Sequence, residues 1–180
     1  MRYDDAMKEL LARYKYRGDE QLKSLLGHML VHAFQQIQIG LPSIPPTTGK
    51  KGMRLNQIIT YVPVSEQRFL ERGFNQAEQM AVELGRRVGV SVIPLLRRAR
   101  HTDKQSFKSR GARIDDLQDV FVVDETGMER LIQQGQELSS KNLHIYIVDD
   151  VYTTGSTMNE CAKILNLHME AIYMGLTWAR

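Results

Sequence analysis

Apolar positions early in the chain recur at helical spacing. Met7, Leu10, Leu11 and Tyr14 share one face of a helix predicted over Tyr3 to Tyr14. Gly18 stops it, and Asp19 caps a second helix whose apolar face is Leu22, Leu25, Leu26, Met29, Leu30 and Phe34. Three prolines and two glycines between Leu41 and Arg54 mark a linker or long surface loop. The pattern then changes. Gln57 to Val62 is apolar and β-branched, which predicts a buried strand. Val82, Leu84 and Val88 continue in a helix ending near Gly89. Val90 to Leu96 reads as a further strand, and Pro94 puts it at a sheet edge or a strand end. Val120 to Val123 is a short strand, and the polar stretch Asp124 to Asn142 holds a short helix around Met128 to Leu138. Leu143 to Val148 is a buried strand, Met158, Cys161, Ala162 and Leu165 have helical spacing, and Ala171 to Leu176 reads as a final strand, ending in Trp178 near the terminus. Two helices followed by strands alternating with helices predict an α/β fold with a parallel sheet and an N-terminal helical addition.

The chemistry concentrates where the Leu143 strand ends. Asp149 and Asp150 stand at its carboxyl end, and Thr153, Thr154, Gly155, Ser156 and Thr157 follow before the next helix. Loop amides and the free N–H groups of a helix's first turn form a concave donor surface for phosphate, helped by the helix dipole. The hydroxyls add donors, and Gly155 lets the backbone come close to an anion. Ionised carboxylates only accept hydrogen bonds, so the acid pair repels phosphate and suits a vicinal diol. Phosphate on one side and ribose hydroxyls on the other describe a ribose 5-phosphate. A plain capped helix would need one hydroxyl and no acid pair. A Walker A loop needs a lysine where Ser156 stands.

Composition narrows the setting. Hydrophobic residues make up 42% and charged residues 25% of 180 residues, as in a globular domain. No apolar run approaches the length of a membrane span, and one cysteine leaves no internal disulfide, so the cytoplasm is the expected compartment. The net charge of +3 is unevenly spread. Arg97, Arg98, Arg100, Lys104, Lys108, Arg110 and Arg113 fall in one stretch with a single acid, Asp103. Such a segment faces phosphate or nucleic acid, or is a solvated loop. Arg68 and Arg72 after the Gln57 strand form a second candidate anion site, since guanidinium grips phosphate bidentately. His28 and His32 have metal-ligand spacing but no third ligand beside them, and read as ordinary helix residues.

Strand, Asp-Asp, two residues and Thr-Thr-Gly-Ser-Thr closely resemble the phosphoribosyl pyrophosphate (PRPP) motif of type I phosphoribosyltransferases. Three further stretches narrow the resemblance to the ComF (ComFC) family of competence proteins. They are Val62-Pro63-Val64-Ser65 with Glu71-Arg72-Gly73-Phe74-Asn75-Gln76; Arg98, Thr102, Gln105, Arg110 and Arg113; and Lys15-Tyr16-Arg17-Gly18-Asp19. The resemblance implies a type I phosphoribosyltransferase-like parallel sheet flanked by helices. Residues 1–40 would be the helical addition and 55–180 the phosphoribosyltransferase-like core. It implies that Asp149 and Asp150 contact the ribose hydroxyls and that Thr153 to Thr157 hold the 5-phosphate. Val64 and Ser65 would sit where pyrophosphate is held. Mg²⁺ would accompany PRPP, with Asp149 and Asp150 as its protein ligands. Arg98, Arg110 and Arg113 would face nucleic acid from a loop that closes over the site. It further implies handling of single-stranded DNA during natural competence, beside a ComFA-like helicase or ATPase partner. Two departures stand out. Family members commonly begin with a four-cysteine zinc module; this chain begins about where that module would end, and no zinc is expected in it. Family members usually have an asparagine shortly after the last loop arginine; here Arg113 is followed by Ile114-Asp115-Asp116.

Two functions remain open from these residues. In one, the chain binds PRPP or another ribose phosphate and acts in DNA uptake without turnover. In the other, it is an active phosphoribosyltransferase that passes phosphoribosyl to an unknown acceptor and releases pyrophosphate, with Arg72 and Arg110 stabilising the departing charge and Asp149 or Asp150 orienting the ribose. No base-reading motif for an acceptor stands out.

Overall fold

The apolar repeat of the second predicted helix puts Leu26, Leu30 and Phe34 on one stripe, and each is almost wholly buried. In the computed structural model they belong to α1, Glu20–Gly40. The structure describes residues 5, 9–10, 13–14, 20–40, 56–99, 120–135, 139–152 and 154–179. Those of the first predicted helix are helical, and Tyr14 is buried with its hydroxyl donating to Gln79 Oε1 at 2.8 Å. The chain continues through β1 (Gln57–Tyr61), α2 (Glu66–Arg72), α3 (Gln76–Val88), β2 (Ser91–Val92) and β3 (Leu96–Arg98). Then come β4 (Phe121–Val123), α4 (Glu125–Gln133), β5 (Ser139–Val151), α5 (Ser156–Asn166) and β6 (Glu170–Ala179).

Four strands form a parallel sheet in the order β2-β1-β5-β6. A parallel sheet covered on both faces needs strands that are apolar nearly throughout, and β1 and the second half of β5 are so. Alternate residues feed two cores. Ile59, Tyr146, Val148, Leu176 and Trp178 pack with α1 and α3; Ile58, Ile145 and Ile147 pack with Leu131 of α4 and with Cys161 and Leu165 of α5. This is the expected α/β architecture, a parallel sheet flanked by helices and consistent with a phosphoribosyltransferase-like fold. No helix among the described residues is long and apolar enough to cross a membrane.

The structure redraws several elements. Val90 to Leu96 is not one strand. Ser91–Val92 pairs with β1, Ile93 N–H still donates to Ile59 O at 2.9 Å, and Pro94, lacking an N–H, ends the pairing. Leu96 then opens a separate antiparallel pair with β4, Leu96 opposite Val123 and Arg98 opposite Phe121. The helix expected around Met128 to Leu138 starts at Glu125 and ends at Gln133, because Asp124 caps it by accepting from Gly127 N–H at 2.8 Å. β5 begins at Ser139 rather than Leu143, with a register shift before His144. The final strand, β6, runs from Glu170 to Ala179 and takes in Trp178. α2 has no counterpart in the apolar pattern, since it buries no residue.

Apolar burial holds α1 to the sheet, at about 2 kcal/mol for each side chain such as Leu26, Leu30 or Phe34. Electrostatics organise its contact with α3. Glu83 is buried and accepts from Arg86 at 3.2 and 2.9 Å and from Arg87 Nε at 2.7 Å; Arg87 in turn meets His28 Nε2 at 2.7 Å. His28 thus faces a cation. The hydrogen bonds from Arg86 hold the Glu83 carboxyl down at about 2 against the burial that raises it, and Arg87 adds to them. A depressed carboxyl contributes stability that is present above its unfolded value and lost as pH falls through its folded value. Thermal stability therefore falls between pH 4.5 and about 2. Melting curves of Glu83→Gln across this window should show a flatter pH dependence than the parent; an equally steep fall would remove Glu83 as the cause.

Candidate functional site

The acid pair and the phosphate-type loop lie at the carboxyl end of β5, between its parallel neighbours β1 and β6, where ligands gather in open α/β sheets. By strand alternation Asp149 continues the face of Ile145 and Ile147 towards α5, and Asp150 continues the face of Tyr146 and Val148. Both are half-buried. Asp149 Oδ1 accepts from Asp150 N–H at 2.8 Å, which fixes that carboxylate at the strand end. Its charge reaches Cys161 below it. Burial, with Asp149 adding, pushes the thiol up to about 12, so Cys161 is a neutral core residue and not a nucleophile.

Gly155 has φ 77° and precedes α5 with no side chain capping the helix. The first intrahelical bond runs from Asn159 N–H to Gly155 O at 2.9 Å, so the N–H groups of Thr157 and Met158 lie ahead of it in the uncommitted first turn. No acidic residue stands in that turn. Thr154 and Ser156 are exposed, their hydroxyls 2.8 Å apart, and Ser156 N–H donates to Thr154 Oγ1 at 3.3 Å. Thr157 is half-buried. Thr153, Arg110 and Arg113 lie outside the described residues, as does most of the basic stretch.

The turn after β1 stands next to the acid pair. Val62 N–H donates to Val148 O at 2.9 Å, carrying the β1–β5 pairing into the turn. Pro63 and Val64 follow, and Ser65 caps α2 by accepting from Arg68 N–H at 3.3 Å. Two side chains lock this turn. Buried Asn75 donates to Val62 O at 3.1 Å while accepting from Ala77 N–H at 3.0 Å, which ties the start of α3 to the end of β1. Arg98 Nε donates to Pro63 O at 3.0 Å, and its guanidinium carbon lies 5.0 Å from the centre of the Phe121 ring. Burial lowers the Arg98 pKa and nearby Arg68 adds to this, whereas Cys161 and Asp149 oppose it. Arg98 therefore belongs structurally to the turn beside the acid pair. Arg72 ends α2, and its Nη1 donates to Gln76 Oε1 at 3.2 Å.

The structure thus joins Asp149, Asp150, Thr154 to Thr157, Val64, Ser65 and Arg98 around the carboxyl ends of β1 and β5. The pattern of the sequence missed Asn75 as the clamp of the turn. An asparagine just before a helical stretch is a readable capping signal, but its reach back to Val62 is not.

The chain is similar to competence protein ComFC of Bacillus subtilis (strain 168), with 30% identity over 163 residues that make up 91% of this chain and 55% of that protein. It is also similar to DNA utilization protein YhgH of Escherichia coli (strain K12), with 35% identity over 164 residues, 91% of this chain and 62% of that protein. Its similarity to relatives of these names supports the ComF (ComFC) family. A third relative, competence protein F of Haemophilus influenzae, is 26% identical over 168 residues and 63% of its own length. The chain spans between about half and just under two thirds of the length of these curated relatives. No protein-family model matches it.

Proposed function

We propose that this ComF-family chain grips a ribose 5-phosphate, with PRPP as the probe ligand, and serves DNA handling during competence. The observation that carries the grip is the half-buried Asp149-Asp150 pair running directly into a helix start with no side-chain cap and no acid in its first turn. A diol meets the carboxylates and the 5-phosphate meets the loop and helix amides. The turn from Val62 to Ser65, fixed by Asn75 and Arg98, faces the diphosphate side. The DNA role comes from the relatives, which are named as competence and DNA utilization proteins.

Among the described residues no three His, Cys, Asp or Glu side chains gather around one point. Two carboxylates fit Mg²⁺ that arrives with a diphosphate and keeps waters and ligand oxygens for its remaining positions. Asp149 and Asp150 would hold it, and it would neutralise diphosphate charge there. The residues themselves orient the sugar and restrain the phosphate. Transfer would need an acceptor in addition, which pyrophosphate release with a panel of bases would detect.

Calorimetry of PRPP with Mg²⁺ tests the grip. The wild type binds, and the Asp149→Asn/Asp150→Asn variant has about 100-fold weaker affinity, as two charge-assisted hydrogen bonds weaken. A wild type that binds no PRPP would end the ribose-phosphate reading.

A further inference from the structure

Beside the phosphate loop, on the α5 side of the sheet, lies a cavity of about 240 Å³ that the sugar-phosphate grip does not use. Met158, Asn159 and Ala162 reach it from α5, and Tyr173, Gly175 and Thr177 are alternate positions of β6 that turn towards the same side. Gly175 pairs with Ile147 and Thr177 with Asp149, so the cavity rises from mid-sheet to the level of the acid pair. Tyr152 walls it next to the loop.

Every residue lining this cavity is uncharged, so it is no second anion or metal site. Its walls suit a flat ring. The Tyr173 hydroxyl is occupied in donating to Met169 O at 2.8 Å, which leaves the ring as the surface it offers. The Met158 sulfur lies 2.6 Å from where a Cβ on Gly175 would stand, so a soft thioether lies against the strand in place of a side chain. Exposed Asn159 brings an amide with both donor and acceptor, and Thr177 brings a hydroxyl. Drug-sized ligands take about 300–1,000 Å³, so this volume suits one ring system. The Tyr152 ring also lies within 2.7–2.8 Å of where a Gly155 Cβ would stand, so one aromatic ring borders both the cavity and the phosphate loop.

The geometry points to a nucleobase site: one base stacks on the tyrosine rings while its polar edge meets Asn159 and Thr177. The inference rests on the DNA-handling reading for its ligand class. The base comes either from a free nucleoside or from a DNA strand.

Fluorescence anisotropy at fixed salt compares a twelve-residue thymidine oligonucleotide with an abasic strand of equal length. Backbone charge is the same in both, so any difference reports the bases. The wild type should prefer the thymidine strand about tenfold. Ala162→Leu, which fills the cavity, should remove that preference and leave abasic-strand and PRPP affinities unchanged; Asn159→Ala should reduce it. A strand carrying 5-iodouracil should crosslink to peptides containing Tyr152 or Met158. Competition by free thymidine would identify a free nucleoside as a ligand, and its absence alongside strand preference would identify the strand. No preference in the wild type overturns the proposal. So does a preference that survives both substitutions. Failure of PRPP to bind would sink the sugar-phosphate grip and leave this comparison readable.

Discussion

Gly155→Ala is expected to lower PRPP affinity by about 10- to 100-fold while the protein stays folded. Gly155 sits at φ 77° immediately before α5. An alanine there carries about 1–2 kcal/mol of left-handed backbone strain. Its Cβ would also stand 2.5 Å from the Tyr152 hydroxyl and 2.7–2.8 Å from the ring. That ring is the end of a half-buried side chain and can swing aside, so the steric part is relieved by moving Tyr152 rather than by unfolding. The loop amides then shift, and breaking a charge-assisted hydrogen bond to phosphate costs about 1.5–3 kcal/mol. Calorimetry with urea titration separates the two causes. Gly155→Asn tolerates the left-handed conformation better and should recover most of the stability. Adding Tyr152→Ala should then recover loop geometry and part of the affinity. Wild-type affinity in Gly155→Ala would show that this turn does not hold the phosphate.

Gly127→Ala is expected to cost about 3 kcal/mol or more in stability. A Cβ there would stand 2.9 Å from the Pro94 carbonyl carbon and 3.4 Å from Leu95 Cα, and closer still to the Pro94 oxygen. All three atoms are backbone, so no side chain can yield. The first turn of α4 must lift away from the Pro94–Leu95 segment. That lift strains two bonds at once: Asp124 N–H to Leu95 O at 3.0 Å and Gly127 N–H to Asp124 Oδ1 at 2.8 Å. It also disturbs fully buried Leu131 on the same helix. The urea midpoint is the measurement, with Gly127→Ser as a second probe of the same close approach. A midpoint equal to the parent's would show that α4 is free to move over Pro94.

The two glycines show what the sequence makes legible. Around Gly155 the signals are local: an apolar strand, two acids, hydroxyls, a glycine and a helical repeat follow within a few residues. The fold class and the candidate grip can therefore be read directly. Around Gly127 the signal is tertiary. A glycine in a first helical turn argues against a helix by propensity, and only its approach to the Pro94 backbone explains it. The expected helix consequently falls too far along the chain, although Asp124 marks its true start. The same limit applies to Arg98. In a basic stretch it reads as a solvated or nucleic-acid-facing cation, whereas its partners are the Pro63 carbonyl and the Phe121 ring, far away in sequence. α2 leaves no trace in the pattern because Phe69 and Leu70 are exposed and nothing on it is buried.

The strand register carries a consequence for synthesis. Ile58 of β1 pairs with Ser91 on one side and Ile145 on the other. The Ser91 partner strand has only two residues, and the Ile145 partner is made about 90 residues after β1. At ribosomal rates of about 5–20 residues per second, β1 waits about 5–20 s for its main neighbour. During that interval one backbone edge and the apolar side chains of Ile58 and Ile59 lack their final cover. The central position that makes β5 the platform of the acid pair also makes it the strand on which completion of the nascent sheet depends.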